Sequence, residues 1–299
     1  MMSGHPAGPP MAECQIPQML NRNTVKPPDL VMVVGGEGAL GGKLFYSLLK
    51  AEFNIRCLVR LEDEHLVDRK PGVEFFYCDP IGGEIPDSAF EGVKFVINAV
   101  SPLNTGSVRT RDVEAVERLN NILITRAKSR GVQRYLLLSS LSLSAEQRQE
   151  EDWANVSWRL EFSVLNSGIP FTIMRSGILL GETNAATLHS IARGGGLLSV
   201  FARKVERFYI TPVEMLAEAF ASAVRIEQSV NKTYAVVLKE AISRKQLGQV
   251  AGRARAQPID PWEAEIQPVL ASGPLSDKLS NISELEMAPE SFSSFIRAT

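Results

Sequence analysis

The sequence is poor in the residues that staple or metallate a fold. Its three cysteines, Cys14, Cys57 and Cys78, are scattered and show no CxxC spacing. That argues against a disulfide framework and a structural zinc site, and it fits a reducing compartment. The three histidines, His5, His65 and His189, are too dispersed for a metal centre. No stretch approaches the roughly 18 consecutive apolar residues that span a bilayer as a helix. Neither sign of charge dominates: Lys+Arg 32 against Asp+Glu 34 leaves a net charge of −2. General nucleic-acid binding needs a surplus of phosphate-facing cations, so it is not expected. Arg109, Arg111, Arg118, Arg126 and Arg130 are interleaved with acidic and polar residues and read as a solvated helix face.

What is present is globular. The chain has 299 residues, 44% hydrophobic and 22% charged, enough to bury a sizeable core without staples. Residues 1–29 stand apart, with Pro6, Pro9, Pro10, Pro17, Pro27 and Pro28 and no apolar periodicity. They read as a flexible arm. The arm lacks the apolar core of a secretory signal and has a single arginine, so a cytoplasmic protein is expected, with organelle import through the arm left open.

From Leu30 a rhythm begins. LVMVV (30–34) is a short continuous apolar run ending at glycines, as in a strand buried on both faces. A helix follows, with Leu40, Leu44, Phe45, Leu48 and Leu49 on one face. Further strands are expected at 54–59, 73–77, 95–100, 134–140 and 170–175, with helices over 112–130 and about 153–167. Strand and helix in alternation predict an α/β fold: a Rossmann-type, doubly wound parallel sheet of order 3-2-1-4-5-6. After Gly177 the rhythm weakens. A helix over 212–226, a strand at 233–237 and a helix starting near Ser243 predict a small C-terminal lobe completing the fold. The expected division is therefore an arm (1–29), a dinucleotide-binding core (30–177) and the smaller lobe (178–299).

The strongest chemical signal is VVGGEGALGG (33–42), which contains Gly35-x-x-Gly38-x-x-Gly41 between a buried strand and a helix. Gly35 can turn the chain, Gly38 lets backbone approach a pyrophosphate, and Gly41 lets the helix pack on the sheet. The helix N-terminus then offers free N–H groups and a positive dipole end to the phosphates. The second strand ends Leu58-Val59-Arg60 where NAD sites place a carboxylate for the ribose 2′-OH. Arg60 would pair instead with a 2′-phosphate, so NADP(H) is preferred over NAD(H). Glu62 and Asp63 lie close by in sequence.

These residues resemble the atypical short-chain dehydrogenase/reductases, in the NmrA-like, NAD(P)H-binding branch. The resemblance runs from about residue 30 through most of the chain. Besides the glycine turn and Leu58-Val59-Arg60, it rests on Tyr77-Cys78-Asp79-Pro80, Asn98-Ala99-Val100 and Leu138-Ser139-Ser140. Glu161 to Gly168, Pro170 to Arg175, Ile210-Thr211-Pro212-Val213-Glu214, and the tail from Ala288 to Phe295 extend it. It implies a cofactor-binding set of Gly35, Gly38, Ala39, Leu40, Gly41, Arg60, Asp79, Pro80, Ala99, Val100 and Ser139, with Asp79 facing the adenine.

The departures matter as much. The wider family reduces carbonyls with a Tyr-x-x-x-Lys pair. Here those positions fall near Trp153 and Ser157, and no Tyr or Lys occurs anywhere from 136 to 203. An indole N–H is no proton donor at neutral pH, and a serine carries no charge. Arg159 can replace only electrostatics, and a surface pair with a neighbouring carboxylate accounts for it better. Of Trp153 and Trp158, five apart on a helix, one is expected in the core and one at the cleft. Arg175-Ser176-Gly177 stands where the family has Arg-Pro. Ser140 and Ser142 are weak candidates for donating a hydrogen bond to an acceptor oxygen; Tyr209, Lys204 and His189 are weaker still. Two readings stay open. One is an NADPH-dependent reductase that passes hydride to an apolar acceptor such as a quinone or flavin, whose proton comes from water. The other is a non-catalytic NADP(H)-responsive regulator or structural subunit with a small-molecule or protein partner. A sugar-nucleotide epimerase reading is weakened by the missing pair.

Overall fold

The computed structural model describes residues 29–38, 40–67, 69–100, 113–141, 153–181, 207–243, 245–246 and 282–287. The first half alternates as expected: β1 (Leu30–Val34), α1 (Gly41–Lys50), β2 (Asn54–Val59), β3 (Val73–Tyr77), β4 (Val93–Asn98), α2 (Val113–Ser129), β5 (Arg134–Ser140), α3 (Trp153–Leu165) and β6 (Phe171–Ser176). Short elements follow: β7 (Ile178–Leu180), β8 (Arg207–Phe208) and β9 (Ile210–Pro212). Then come α4 (Val213–Arg225), β10 (Lys232–Val236) and β11 (Ile242–Ser243).

Seven strands form one parallel sheet in the order β10-β6-β5-β4-β1-β2-β3. The expected 3-2-1-4-5-6 order is present, and β10 extends it beyond β6, with Tyr234 opposite Met174. The strand read at 233–237 thus returns to the same sheet, after the chain has paired β7 with β9 and before β11 pairs with β8.

The apolar runs are continuous because both faces are covered. In β1, Val31 and Val33 pack with Leu44, Phe45 and Leu48 of α1 and Phe220 and Val224 of α4. Met32 and Val34 point the other way, to Val116, Leu119 and Leu123 of α2 and Leu160 and Val164 of α3. The second helix stops as its glycine predicts. Gly131 takes φ +69°, and Val132 N–H donates to Ala127 O at 2.9 Å. At the far side of the sheet, Arg134 is buried and donates to Ile226 O at 3.1 Å, Ser229 Oγ at 2.8 Å and Glu227 Oε2 at 3.0 Å. A cation there satisfies the carbonyls at the end of α4. Near the other end of the strands, Arg175 binds the buried Glu161 through two parallel bonds of 2.9 and 2.7 Å, fixing β6 to α3. Ser176, in the place of the family's proline, donates to Ser139 O at 3.3 Å.

Residues 1–28 of the arm and the tail from 288 lie outside the described residues. The start near Ser243 is capped: Ser243 N–H donates to Gln246 Oε1 at 2.9 Å and Gln246 N–H to Ser243 Oγ at 3.4 Å, with helical backbone at 245–246. Reciprocal bonds of this kind mark a helix N-terminus. Among the described residues, no helix is long and apolar enough to cross a membrane.

Candidate functional site

The carboxyl ends of β1, β2 and β4 converge on the glycine turn. Gly35 has φ +88°, and a Cβ on it would lie 2.8 Å from Val100 N and 2.9 Å from Ala99 C. Only glycine serves at a position with that dihedral and that approach. Gly41 opens α1 so close to the turn that a Cβ would sit 1.7 Å from Gly36 O. The turn closes with Gly38 N–H donating to Gly35 O at 3.3 Å and Gly41 N–H to Gly38 O at 3.0 Å. Gly36, absent from the expected set, also touches the core: its Cβ would meet Cys57 Sγ at 2.6 Å and Phe45 Cζ at 2.7 Å. The doubled glycine at 35–36 was the signal for it. The cradle is thus one that side chains would fill, at the N-terminus of a ten-residue helix, and it suits a pyrophosphate. Leu40 is buried in the core, which leaves only its backbone for a ligand. Ala39 lies outside the described residues.

Behind the turn, β4 is held by a buried polar triad. Asn98 Nδ2 donates to Asn120 Oδ1 and to Tyr135 Oη, both at 3.1 Å, and Tyr135 Oη–H donates to Asn120 Oδ1 at 2.8 Å. Asn98 Oδ1 in turn accepts the Val100 N–H at 3.2 Å. Burial pushes the Tyr135 phenol well above its ordinary pKa, so it stays protonated and available to the network. Asn120 and Tyr135 were not singled out by the sequence. The trace they left is a polar residue on the apolar stripe of α2 and a hydroxyl in a fully buried strand.

Arg60 stands at the end of β2, on the wall of a cleft of about 570 Å³ with Leu61, Glu62, Tyr77, Cys78 and Asp79. Its guanidinium is engaged: Nε and Nη2 each lie 2.6 Å from Asp63 Oδ2, and Nη1 lies 2.8 Å from Glu62 Oε1. The two carboxylates adjacent in sequence have thus captured the arginine. Asp79 Oδ1 accepts the Gly82 N–H at 2.9 Å, so Asp79 shapes its own turn while lining the cleft. Pro80 and Val100 line the neighbouring recess with Gly35, Glu37, Arg60 and Asp63. Glu37 Oε2 is buried there without a hydrogen bond among the described residues. Desolvation, reinforced by Asp63 and opposed by its own backbone and Arg60, raises the Glu37 carboxyl above its usual pKa.

The described residues bring together Gly35, Gly38, Gly41, Arg60, Asp79, Pro80, Ala99 and Val100. Ser139 and Ser140 lie at the end of β5, two strands from β1. Ser139 Oγ is buried with no hydrogen-bond partner among the described residues. Ser142, His189 and Lys204 lie outside the described residues. Tyr209 gives its backbone oxygen to Ile178 N–H at 2.9 Å. Arg159 forms an ion pair with Glu117, linking α3 to α2 at the surface. Trp158 is exposed and stacks on Phe162, with ring centroids 5.0 Å apart, so it is not the core member of the pair. The side chain of Trp153 is outside the described residues. No group of three or more metal-ligating side chains occurs among the described residues.

Comparison with known proteins agrees with this geometry. The family model described as "NmrA-like family" matches residues 27–190, more than half of the chain. A photosystem II assembly factor, Ycf39 of Trieres chinensis, is 24% identical over 149 residues, which is 48% of this chain and 44% of that protein. The chain therefore spans less than half the length of this curated relative. Among solved structures, the UDP-glucose 4-epimerase of Thermus thermophilus, a complex with NAD, superposes with a TM-score of 0.58. It is 17% identical, over 87% of this chain and 94% of that one. The enzyme WbmG of Bordetella bronchiseptica, in complex with NAD and UDP, gives 0.57 at 11% identity, over 86% and 92%. The terminal R domain of the myxalamid pathway gives 0.57 at 18%, over 88% and 85%. At these identities the structures share the fold.

Proposed function

The chain belongs to the NmrA-like family, and on that premise we propose that it binds a nicotinamide dinucleotide at its glycine turn. We further infer a reductase that passes hydride to an apolar acceptor such as a quinone or flavin. The observation that carries the first step is the cradle itself, closed to any side chain at Gly35 and Gly41 and placed at the start of α1. When bound, the nicotinamide supplies the hydride. The protein's own residues bind and orient. Backbone N–H groups of the turn face the pyrophosphate, the cleft beside Tyr77 and Asp79 receives the adenosine, and the triad Asn98–Asn120–Tyr135 keeps Val100 where Gly35 can meet it. A hydrogen bond from Ser139 to a ligand at the end of β5 is supported by its Oγ, buried and unpaired among the described residues. An acceptor that takes its proton from water makes no demand for the absent tyrosine and lysine.

Arg60 supports NADP(H) over NAD(H), since a guanidinium at the end of β2 is the group that pairs with a 2′-phosphate. To do so it must exchange Asp63 and Glu62 for the phosphate. Replacing it, as Arg60→Asp, is expected to weaken NADPH far more than NADH; equal losses would refute the assignment.

A second reading is favoured by the missing pair and by the assembly factor among its relatives: a non-catalytic subunit that responds to NADP(H). We place the protein in the cytoplasm, with import through residues 1–29 as the alternative. The deciding experiment is thermal melting with NADPH, NADP⁺ and NADH at matched concentration, because a ligand of the native state raises the melting temperature with its occupancy. A shift is expected, largest with NADPH; no shift with any of the three overturns the cofactor assignment. NADPH turnover with a quinone and flavin panel then separates reductase from sensor.

A further inference from the structure

The glycine turn carries a carboxylate for which the pyrophosphate has no use. Glu37 lies between Gly36 and Gly38, and its Oε2 is buried with no hydrogen-bond partner among the described residues. A buried acceptor left unmade is costly, so it stands ready for a donor. The recess it shares with Arg60, Asp63 and Pro80 has room for about 10 Å³, the space of one water or hydroxyl. Charge points the same way. Arg60 carries the one positive charge among these side chains and already faces two carboxylates, Asp63 and Glu62. A 2′-phosphate held by Arg60 would meet this negative charge as well, which weakens its attraction, whereas a ribose hydroxyl can donate to Oε2.

We propose that Glu37 is a second determinant of the choice between dinucleotides, opposing Arg60: it accepts the adenosine-ribose hydroxyl of NAD(H) and disfavours the 2′-phosphate of NADP(H). The proposal rests on the dinucleotide site proposed above. It makes the preference for NADP(H) a balance between Arg60 and Glu37 in one recess, smaller than Arg60 alone would give.

The test is equilibrium binding of NADH and NADPH to the full chain, in wild type, Glu37→Gln and Glu37→Thr, with the melting temperature of each unliganded protein as a check on folding. Both variants remove the charge, and they differ in bulk, so one can fail to fold without ending the test. A hydrogen bond to a charged group contributes about 1.5–3 kcal/mol, and 1.4 kcal/mol is a factor of ten. The ratio of NADPH to NADH affinity is therefore expected to rise about tenfold or more in a folded variant. A ratio unchanged from wild type, whether both affinities hold or both fall together, overturns the role of Glu37 and leaves the cofactor site standing. Wild type that binds neither dinucleotide overturns the site, and this proposal with it.

Discussion

Replacing Gly41 by alanine puts one methyl group against the most crowded point of the turn. The new Cβ would sit 1.7 Å from Gly36 O, 2.4 Å from Gly36 C and 2.8 Å from Gly36 Cα. All three are backbone atoms, so no side chain can rotate out of the way, and either α1 must lift from the sheet or the turn must open. Overpacking costs about 1–3 kcal/mol, and a backbone neighbour places this case at the upper end. Alanine returns up to about 1 kcal/mol of helix propensity, less at the first helical residue. The net destabilisation is about 2 kcal/mol. At about 2–4 °C per kcal/mol for a domain of this size, the melting temperature should fall by about 4–8 °C. Dinucleotide binding should fall with it, because the displaced N–H groups are those proposed to face the pyrophosphate. Gly131→Ala is the control. It has φ +69° but nothing within 4 Å of its Cβ, so it should cost about 1–2 kcal/mol of backbone strain and leave affinity unchanged. Calorimetric melting and NADPH titration of the two variants measure both effects. A Gly41→Ala protein that melts with wild type and binds NADPH equally would refute the close packing of helix on turn.

Two further outcomes follow from the buried groups. Tyr135→Phe removes the hydroxyl that bonds both asparagines and should cost about 1–3 kcal/mol, read as a lower urea midpoint; a variant as stable as wild type would mean the triad contributes no rigidity. Burial, with Asp79 beside it, pushes the Cys78 thiol up to about 11 from 9.0. Burial and then Glu37 drive Cys57 in the same direction. The unfolded chain loses these protons first, so the thiols' contribution to stability should be constant below about pH 9 and fall as pH rises towards about 11. Urea midpoints from pH 8 to 10.5 should fall more steeply in wild type than in a Cys57→Ser, Cys78→Ser protein, and parallel curves would sink the assignment.

The sheet was legible because two-sided burial leaves continuous apolar runs, and glycines mark where they stop. The order of its first six strands was the default for a chain whose first strand ends in a glycine turn, among the few topologies that right-handed crossovers leave. That β10 joins the same sheet was not legible: TYAVV (233–237) reads as a strand, but nothing local says which edge it will pair with. The pairings of β7 with β9 and β8 with β11 are too short to leave a period. At the site, the glycine spacing identified the turn, because close approach of backbone admits a single residue type. The capture of Arg60 by Asp63 and Glu62 escaped, although both carboxylates were visible, since a turn of 3-10 helix over Leu61–Leu66 had to fold them back onto the guanidinium. The lone oxygen of Glu37 escaped for the same reason: solvent exclusion is a property of the assembled recess.

The late arrival of β10 sets the order in which the chain can become safe from association. Until Lys232–Val236 is made, β6 is the outermost strand, and Thr172, Ile173 and Met174 in it are among the most buried residues of the finished protein. A nascent chain, or a fragment cut after Gly181, would carry an open parallel edge of largely apolar side chains. Such edges recruit strands from other molecules. Production of a minimal dinucleotide-binding piece should therefore retain residues through Val236; the shorter piece is expected in the aggregated fraction.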